Sequence, residues 1–171
     1  DLTNFFFEKH LKDNGIKCSS DLLLSKARYY IANNNQLTEA RIYFDKALDC
    51  SNIIQCFQDA ISLNNCFNKE YTEKLTEILE NNRSKIIDRY YYEFKYELSI
   101  CLEDYRHALE YLDKSYSAGL SSEAYYSDLS YLLILSEDYK KLISLATVHA
   151  EKLKNMDCKA FTINFQYALH K

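Results

Sequence analysis

Apolar and polar positions recur along this chain at a fixed interval. A large apolar or aromatic side chain, preceded each time by Gln or an acid, returns in this register as Leu37, Tyr71, Tyr105 and Tyr139. Seven residues after each of these positions comes another apolar residue, at Phe44, Ile78, Leu112 and Ala146. Because seven residues make about two helical turns, both positions share one face of a helix. The pattern predicts a series of amphipathic helices.

Short polar segments separate the predicted helices. The segments 33–36 and 102–104 each end in an amide or acid, which can cap the next helix and interacts favourably with its dipole. The most charged connection, residues 80–85, predicts an exposed turn between helix pairs. At the two ends, residues 2–14 predict a helix that stops at the following glycine, and residues 157–171 predict one more helix.

The 34-residue interval from Leu37 to Tyr71, and the pattern of residues within it, resemble the tetratricopeptide repeat. The second helix of that repeat opens with an aromatic residue or Leu, followed by a small, a large and a small residue. Two segments match that order, namely Tyr105, Ala108, Leu112 and Ser115, and Leu37, Ala40, Phe44 and Ala47. Residues 124–133 likewise resemble a first helix of the family. The resemblance implies an all-α fold, a right-handed α-solenoid of antiparallel helix pairs with about four units plus terminal helices.

On this basis we expect a single domain over residues 1–171. It consists of an N-terminal helix and turn (1–20), repeat units at 21–54, 55–88, 89–122 and 123–156, and a terminal helix (157–171). The array departs from the family pattern, because Lys74 stands where Ala is usual and no unit has the closing proline. The first residue is Asp1 and not Met, so we also expect the chain to be part of a longer protein.

Composition narrows the class of protein. Two glycines and no proline disfavour a β-rich fold, since tight turns depend on these residues. A formal charge of -4 without a basic block predicts no binding to nucleic acid or to membrane surfaces. Six cysteines without a Cys-x-x-Cys pair are typical of reduced thiols, and with no signal-peptide pattern this predicts a cytoplasmic protein.

Candidate catalytic and metal-binding residues are sparse. The histidines, His10, His107, His149 and His170, stand at no spacing typical of a metal site or a catalytic triad. Paired acids such as Glu70 and Glu73 fall at helix starts, where acids serve as caps. The sequence therefore predicts no enzymatic activity, no cofactor and no metal.

Aromatic residues are in excess, with 16 Tyr and 9 Phe. In the tetratricopeptide family the first helices line a concave groove, and the resemblance implies a groove built from Tyr29, Leu63, Phe67, Tyr90, Glu93, Glu97, Tyr131, Ile134 and Phe165. Large amphipathic side chains of this kind are enriched at protein interfaces. The alternative is that some of these tyrosines only seal gaps between neighbouring units. Glu93 and Glu97 predict a groove that accepts a basic or neutral segment and not the acidic tails that some family members hold.

Two functions follow as hypotheses. The first is an interaction module that binds a protein or peptide segment in this aromatic groove. The second is a sensor or autoinhibitory domain of a larger regulator, such as a peptide-responsive transcription regulator or a nucleotide-driven defence protein, with flanking effector domains in the same chain.

Overall fold

The computed structural model describes residues 9, 20–34, 37–48, 53–62, 69–156 and 158–171. Within these residues every regular element is helical, which confirms the all-α prediction. The α-helices in order are α1 (Ser20–Asn34), α2 (Leu37–Leu48), α3 (Ile53–Ser62), α4 (Lys69–Asn81), α5 (Asp88–Cys101), α6 (Tyr105–Ser117), α7 (Ser122–Leu135), α8 (Tyr139–Val148), α9 (Ala150–Lys154) and α10 (Lys159–Leu169). The chain forms two compact units, Asp1–Phe67 and Asn68–Lys171.

In the first unit, α2 packs against both α1 and α3. The predicted small, large and small residues Ala40, Phe44 and Ala47 are completely buried, so this face of α2 is its packing face. Arg28 on α1 forms an ion pair with Asp59 on α3. The predicted N-terminal helix over residues 2–14 lies outside the described residues.

In the second unit, the connection between α5 and α6 is repeated between α7 and α8, one repeat interval later. In the first copy the Glu103 amide donates to the Ile100 carbonyl and the Asp104 amide to the Ser99 carbonyl, both at 2.9 Å. This pair of bonds is the Schellman motif that ends many helices. The second copy has the same two bonds, from Glu137 to Ile134 at 3.1 Å and from Asp138 to Leu133 at 2.9 Å.

The residue at the centre of each of these turns is left-handed, with φ of 60° at Glu103 and 57° at Glu137. Glycine usually occupies this position because it has no Cβ to clash with the backbone. The connection from α6 to α7 has the same bonding pattern and does use a glycine, Gly119, at φ 108°. A chain with only two glycines thus builds two of these turns with Glu.

In each of the two turns built with Glu, the aspartate that follows the Glu caps the next helix, as the sequence predicted. The Asp104 carboxylate accepts from the backbone amide of His107 at 3.3 Å. The Asp138 carboxylate accepts from the backbone amide of Lys141 at 3.1 Å. Each cap satisfies an amide that the first turn of a helix leaves unpaired. The period read from the sequence is therefore a period of local structure in this part of the chain.

The core of the second unit includes a cluster among α5, α6, α7, α8 and α10. Ala108, Leu112 and Ser115 are buried on α6, and Leu142, which follows Ala108 by one repeat interval, is buried on α8. Tyr105 and Tyr139 are half-buried and pack against this core. The predicted terminal helix is present as α10, with Phe161 and Ala168 buried.

Helix α4 departs from the predicted register. Tyr71, Leu75 and Leu79 are completely buried, whereas Ile78, the residue that the repeat pattern selects, is only half-buried. The spacing of four residues between the buried positions places the packing face about one residue further along the helix. Lys74 is exposed for the same reason, because it does not occupy the buried position that Ala40 and Ala108 fill.

The prediction of a turn over residues 80–85 is wrong at its start, because α4 continues to Asn81 before a 3-10 turn at Arg83–Lys85. This connection is also held by side chains. The Glu80 carboxylate accepts from Tyr91 Oη at 2.8 Å and from Lys95 Nζ at 2.7 Å. The Arg83 guanidinium lies 4.2 Å from the centre of the Tyr91 ring.

Candidate protein-binding face

The structure places the predicted groove residues in several environments. Leu63 and Phe67 lie outside the described residues. Tyr29 is on α1 in the first unit, where it is 38% exposed. The remaining six belong to the second unit, with Tyr90, Glu93 and Glu97 on α5, Tyr131 and Ile134 on α7, and Phe165 on α10.

The α5 residues share one side of their helix. Tyr90, Glu93 and Glu97 are three and four residues apart, a spacing that aligns side chains along a helix. The Tyr90 ring stacks on Phe94 at a centroid distance of 6.4 Å, and Phe94 is buried. Arg89 donates to the Glu93 carboxylate at 2.8 Å. Core packing and an ion pair thus both hold the first turns of this helix face.

Helix α7 brings two further side chains to the same region. Tyr96 Oη on α5 donates to the backbone carbonyl of Asp128 on α7 at 3.3 Å, which joins the two helices at this level. Three residues further along α7, Tyr131 is 48% exposed. We call Tyr90, Glu93, Glu97, Asp128 and Tyr131 the acidic face.

Asp128 was not predicted from the sequence. Its only sequence signal is its position three residues before Tyr131, a spacing that places both residues on one side of α7. The spacing alone could not place Asp128 in the site, because the sequence does not show which helix lies beside α7. The contact with Tyr96 supplies this information.

Two carboxylates of the acidic face, Glu97 and Asp128, are difficult to ionise. The protein around Glu97 limits its hydration and, together with the charges of Asp128 and Glu93, raises its pKa to about 7. This residue is nevertheless exposed at the surface, so water partly screens its charge. Burial, assisted by the Glu93 charge, raises the pKa of Asp128 to about 6.

Neither Glu97 nor Asp128 forms an ion pair within the described part of the chain. Both cations of α5 already have other partners, since Arg89 pairs with Glu93 and Lys95 pairs with Glu80. Carboxylates that are poorly hydrated and lie near one another are stabilised when a cation approaches. The acidic face therefore attracts positive charge.

Ile134 and Phe165 are less available than the sequence predicted. Both are half-buried and pack against the core of the second unit. Beside Phe165, Asn164 Nδ2 donates to Ser130 Oγ at 2.9 Å and ties α10 to α7. These two apolar residues thus contribute to the packing of α7 and α10.

Several tyrosines outside the predicted groove contact one another. Tyr116 and Tyr125 stack at 4.3 Å between ring centroids, and Tyr92 stacks with Tyr111 at 6.5 Å. Lys152 Nζ donates to Tyr116 Oη at 3.4 Å. These tyrosines serve contacts between helices, as in the gap-sealing alternative. The aromatic excess is therefore divided between internal contacts and exposed positions such as Tyr131.

A surface depression of about 500 Å³ lies beside Asp88, Tyr92, Glu110, Asp113 and Lys114. Its charged groups already have partners. Asp88 pairs with Arg83, Glu110 with Lys114 at 2.6 Å, and Asp113 accepts from Tyr125 Oη at 2.8 Å. This depression consequently offers a ligand less unsatisfied charge than the acidic face does.

Within the described residues, no group of three His, Cys, Asp or Glu side chains is placed to hold a metal ion. No helix in the same residues has the length and apolarity needed to cross a bilayer.

Comparisons of the chain with protein-family models, with curated proteins and with solved structures found no match. The functional argument therefore depends on the residues of the chain itself.

Proposed function

We propose that this chain is a tetratricopeptide-like helical repeat that binds a protein or an extended peptide, and that the acidic face is its binding surface in the second unit. The observation that carries this proposal is the position of Tyr131, a large aromatic side chain that is 48% exposed on α7 three residues after Asp128. Asp128 and the neighbouring Glu97 form no ion pair with any residue that the structure describes. Exposed aromatic residues on a rigid frame are the usual source of binding energy at protein interfaces.

The repeat architecture is supported by the turn that occurs twice, one repeat interval apart, with the same hydrogen bonds and the same left-handed residue. It is also supported by the buried small and large residues on α2 and α6, in the order typical of the family's second helices. Helix pairs repeated in this way place their first helices side by side, and α5 and α7 are first helices in this register.

The chemistry of the face favours a protein partner over a nucleic acid or a lipid surface. Carboxylates at Glu93, Glu97 and Asp128 repel phosphate groups, which dominate nucleic-acid affinity and anionic membrane surfaces. Tyrosine presents a large apolar area with few rotatable bonds, so ordering it on binding costs little conformational entropy. From the sequence, we further propose a cytoplasmic interaction module without enzymatic activity.

The proposal is tested with peptides selected from a random display library against the wild-type chain. Binding of each peptide is then measured by calorimetry to wild type and to the double variant Tyr90→Ala, Tyr131→Ala. We expect the double variant to lose about 2 kcal/mol of binding free energy or more, because buried aromatic residues dominate interface energies.

The matched control is the double variant Arg106→Ala, Lys140→Ala, which removes two exposed side chains from the second helices α6 and α8. It should bind the peptides nearly as wild type does. Circular dichroism of both double variants establishes that they are folded. Peptides that bind the folded Tyr90, Tyr131 variant with undiminished affinity would show that the binding surface is elsewhere.

A further inference from the structure

We infer that the partner of the acidic face presents a Lys or Arg side chain, whose cation is received between Glu97 and Asp128 with the Tyr131 ring beside it. This inference rests on the proposed function and specifies the chemistry of the bound segment. It commits the face to a basic segment over the neutral one that the sequence also allowed.

The first argument is charge complementarity. Three carboxylates lie on the acidic face, and only Glu93 has a cationic partner in the described part of the chain. The charges of Asp128 and Glu93 act on Glu97, and the charge of Glu93 acts on Asp128, so the unfavourable interactions come from both α5 and α7. A cation placed between the two helices would be attracted by Glu97 and Asp128, whereas the charge of Glu93 is already compensated by Arg89.

The second argument concerns the kind of cation. The three carboxylates belong to no group that is arranged to hold a metal ion within the described residues. An organic cation on a flexible side chain has less strict geometric requirements, and its apolar stem can pack on an aromatic ring. Tyr131 provides an exposed ring three residues from Asp128, and cations are attracted to the faces of such rings.

The third argument is that aromatic contacts with cations already occur in this chain. The Arg89 guanidinium lies 5.4 Å from the centre of the Tyr90 ring while it pairs with Glu93. This arrangement of a cation, a carboxylate and a tyrosine within one helix is the one that we infer for the partner's cation. On the α7 side the same two acceptor types, Asp128 and Tyr131, are present without a cation from the residues that the structure describes.

The experiment uses the peptides selected from the random library, each of roughly twelve residues so that it can extend over both helices. We expect the selected peptides to be enriched in Lys and Arg. The double variant Glu97→Gln, Asp128→Asn should weaken their binding about tenfold or more at about pH 8 and low salt. The matched control is Glu123→Gln, Glu151→Gln, which removes the same charge from exposed positions and should change affinity much less.

A second readout is the pH dependence of binding to the wild type. The groups that act are Glu97 and Asp128, with Glu93 as the neighbouring charge. Affinity should fall as pH decreases from about 8 to about 5, because both carboxylates then take up protons and lose the charge that attracts the cation. The Glu97, Asp128 double variant should lose most of this pH dependence.

The outcomes separate this inference from the proposed function. Peptides that depend on Tyr90 and Tyr131, yet show no excess of Lys or Arg and bind the Glu97, Asp128 variant unchanged, would overturn the inference and leave the proposed function in place. A library that yields no peptide dependent on Tyr90 and Tyr131 would overturn both.

Discussion

The Asp128 carboxylate provides a test of the electrostatics that needs no partner. Burial and the Glu93 charge raise its pKa from an ordinary value of 3.8 to about 6. The folded state therefore holds the proton more tightly than the unfolded state. Ionised Asp128 opposes folding above about pH 6, and this cost disappears as pH falls below about 4, where both states are protonated.

The size of the effect follows from the shift. A fully buried group with this shift would cost about 3 kcal/mol, at about 1.4 kcal/mol for each pH unit. Asp128 is only half-buried and solvent screens its charge, so we reduce the expected cost to about 1 kcal/mol. Asp128→Asn, which removes the charge and keeps the shape, should raise the unfolding free energy by that amount at about pH 8 and leave it nearly unchanged at about pH 4.

Urea unfolding followed by circular dichroism at the two pH values measures this difference. The control is Glu77→Gln on α4, where the side chain is exposed and lies beyond the first turn of its helix. It should change stability little at either pH. If Asp128→Asn were less stable than wild type at about pH 8, or equally affected at both pH values, the account of the acidic face would be wrong.

Three further predictions concern the fold, and urea unfolding checks each of them. Ala108→Trp should cost about 1 to 3 kcal/mol by overpacking a completely buried position, whereas exposed Lys141→Ala should cost little; equal effects would contradict the packing face of α6. Glu103→Gly should stabilise by about 0.5 to 1 kcal/mol by relieving the left-handed backbone, and Gly119→Ala should destabilise for the converse reason; the opposite signs would contradict the turn geometry. Ser115→Ala should stabilise by up to about 1 kcal/mol, because its buried hydroxyl has no hydrogen-bond partner in the described residues; a clear loss of stability would contradict the unpaired hydroxyl.

The sequence predicts the fold where each residue acts within its own helix. Ala108 and Leu112 define a buried face by their spacing alone, and Asp104 and Asp138 define helix starts by local capping. The same reasoning fails at α4, where Leu75 and Leu79 determine the packing face and the repeat register does not. Helix rotation depends on which large residues are available to the core, and a fixed period does not contain that information.

The candidate site was predicted only in part for a related reason. Tyr90, Glu93, Glu97 and Tyr131 could be assigned from helix position and the resemblance. Asp128 enters the site through the packing of α7 beside α5, which the Tyr96 hydrogen bond to its carbonyl establishes. The role of each tyrosine likewise depends on its neighbours. The composition shows that aromatic residues are in excess, but it does not show which tyrosines contact other helices and which are exposed.

The most direct test of the central claim is to map peptide binding by nuclear magnetic resonance on the isotope-labelled chain. A selected peptide is titrated, and backbone amide shifts are followed along α5 to α8. The account predicts the largest changes at Glu93, Glu97, Asp128 and Tyr131, with small changes at Arg106 and Lys140. Changes concentrated on α6 and α8, with the acidic face unaffected, would contradict it.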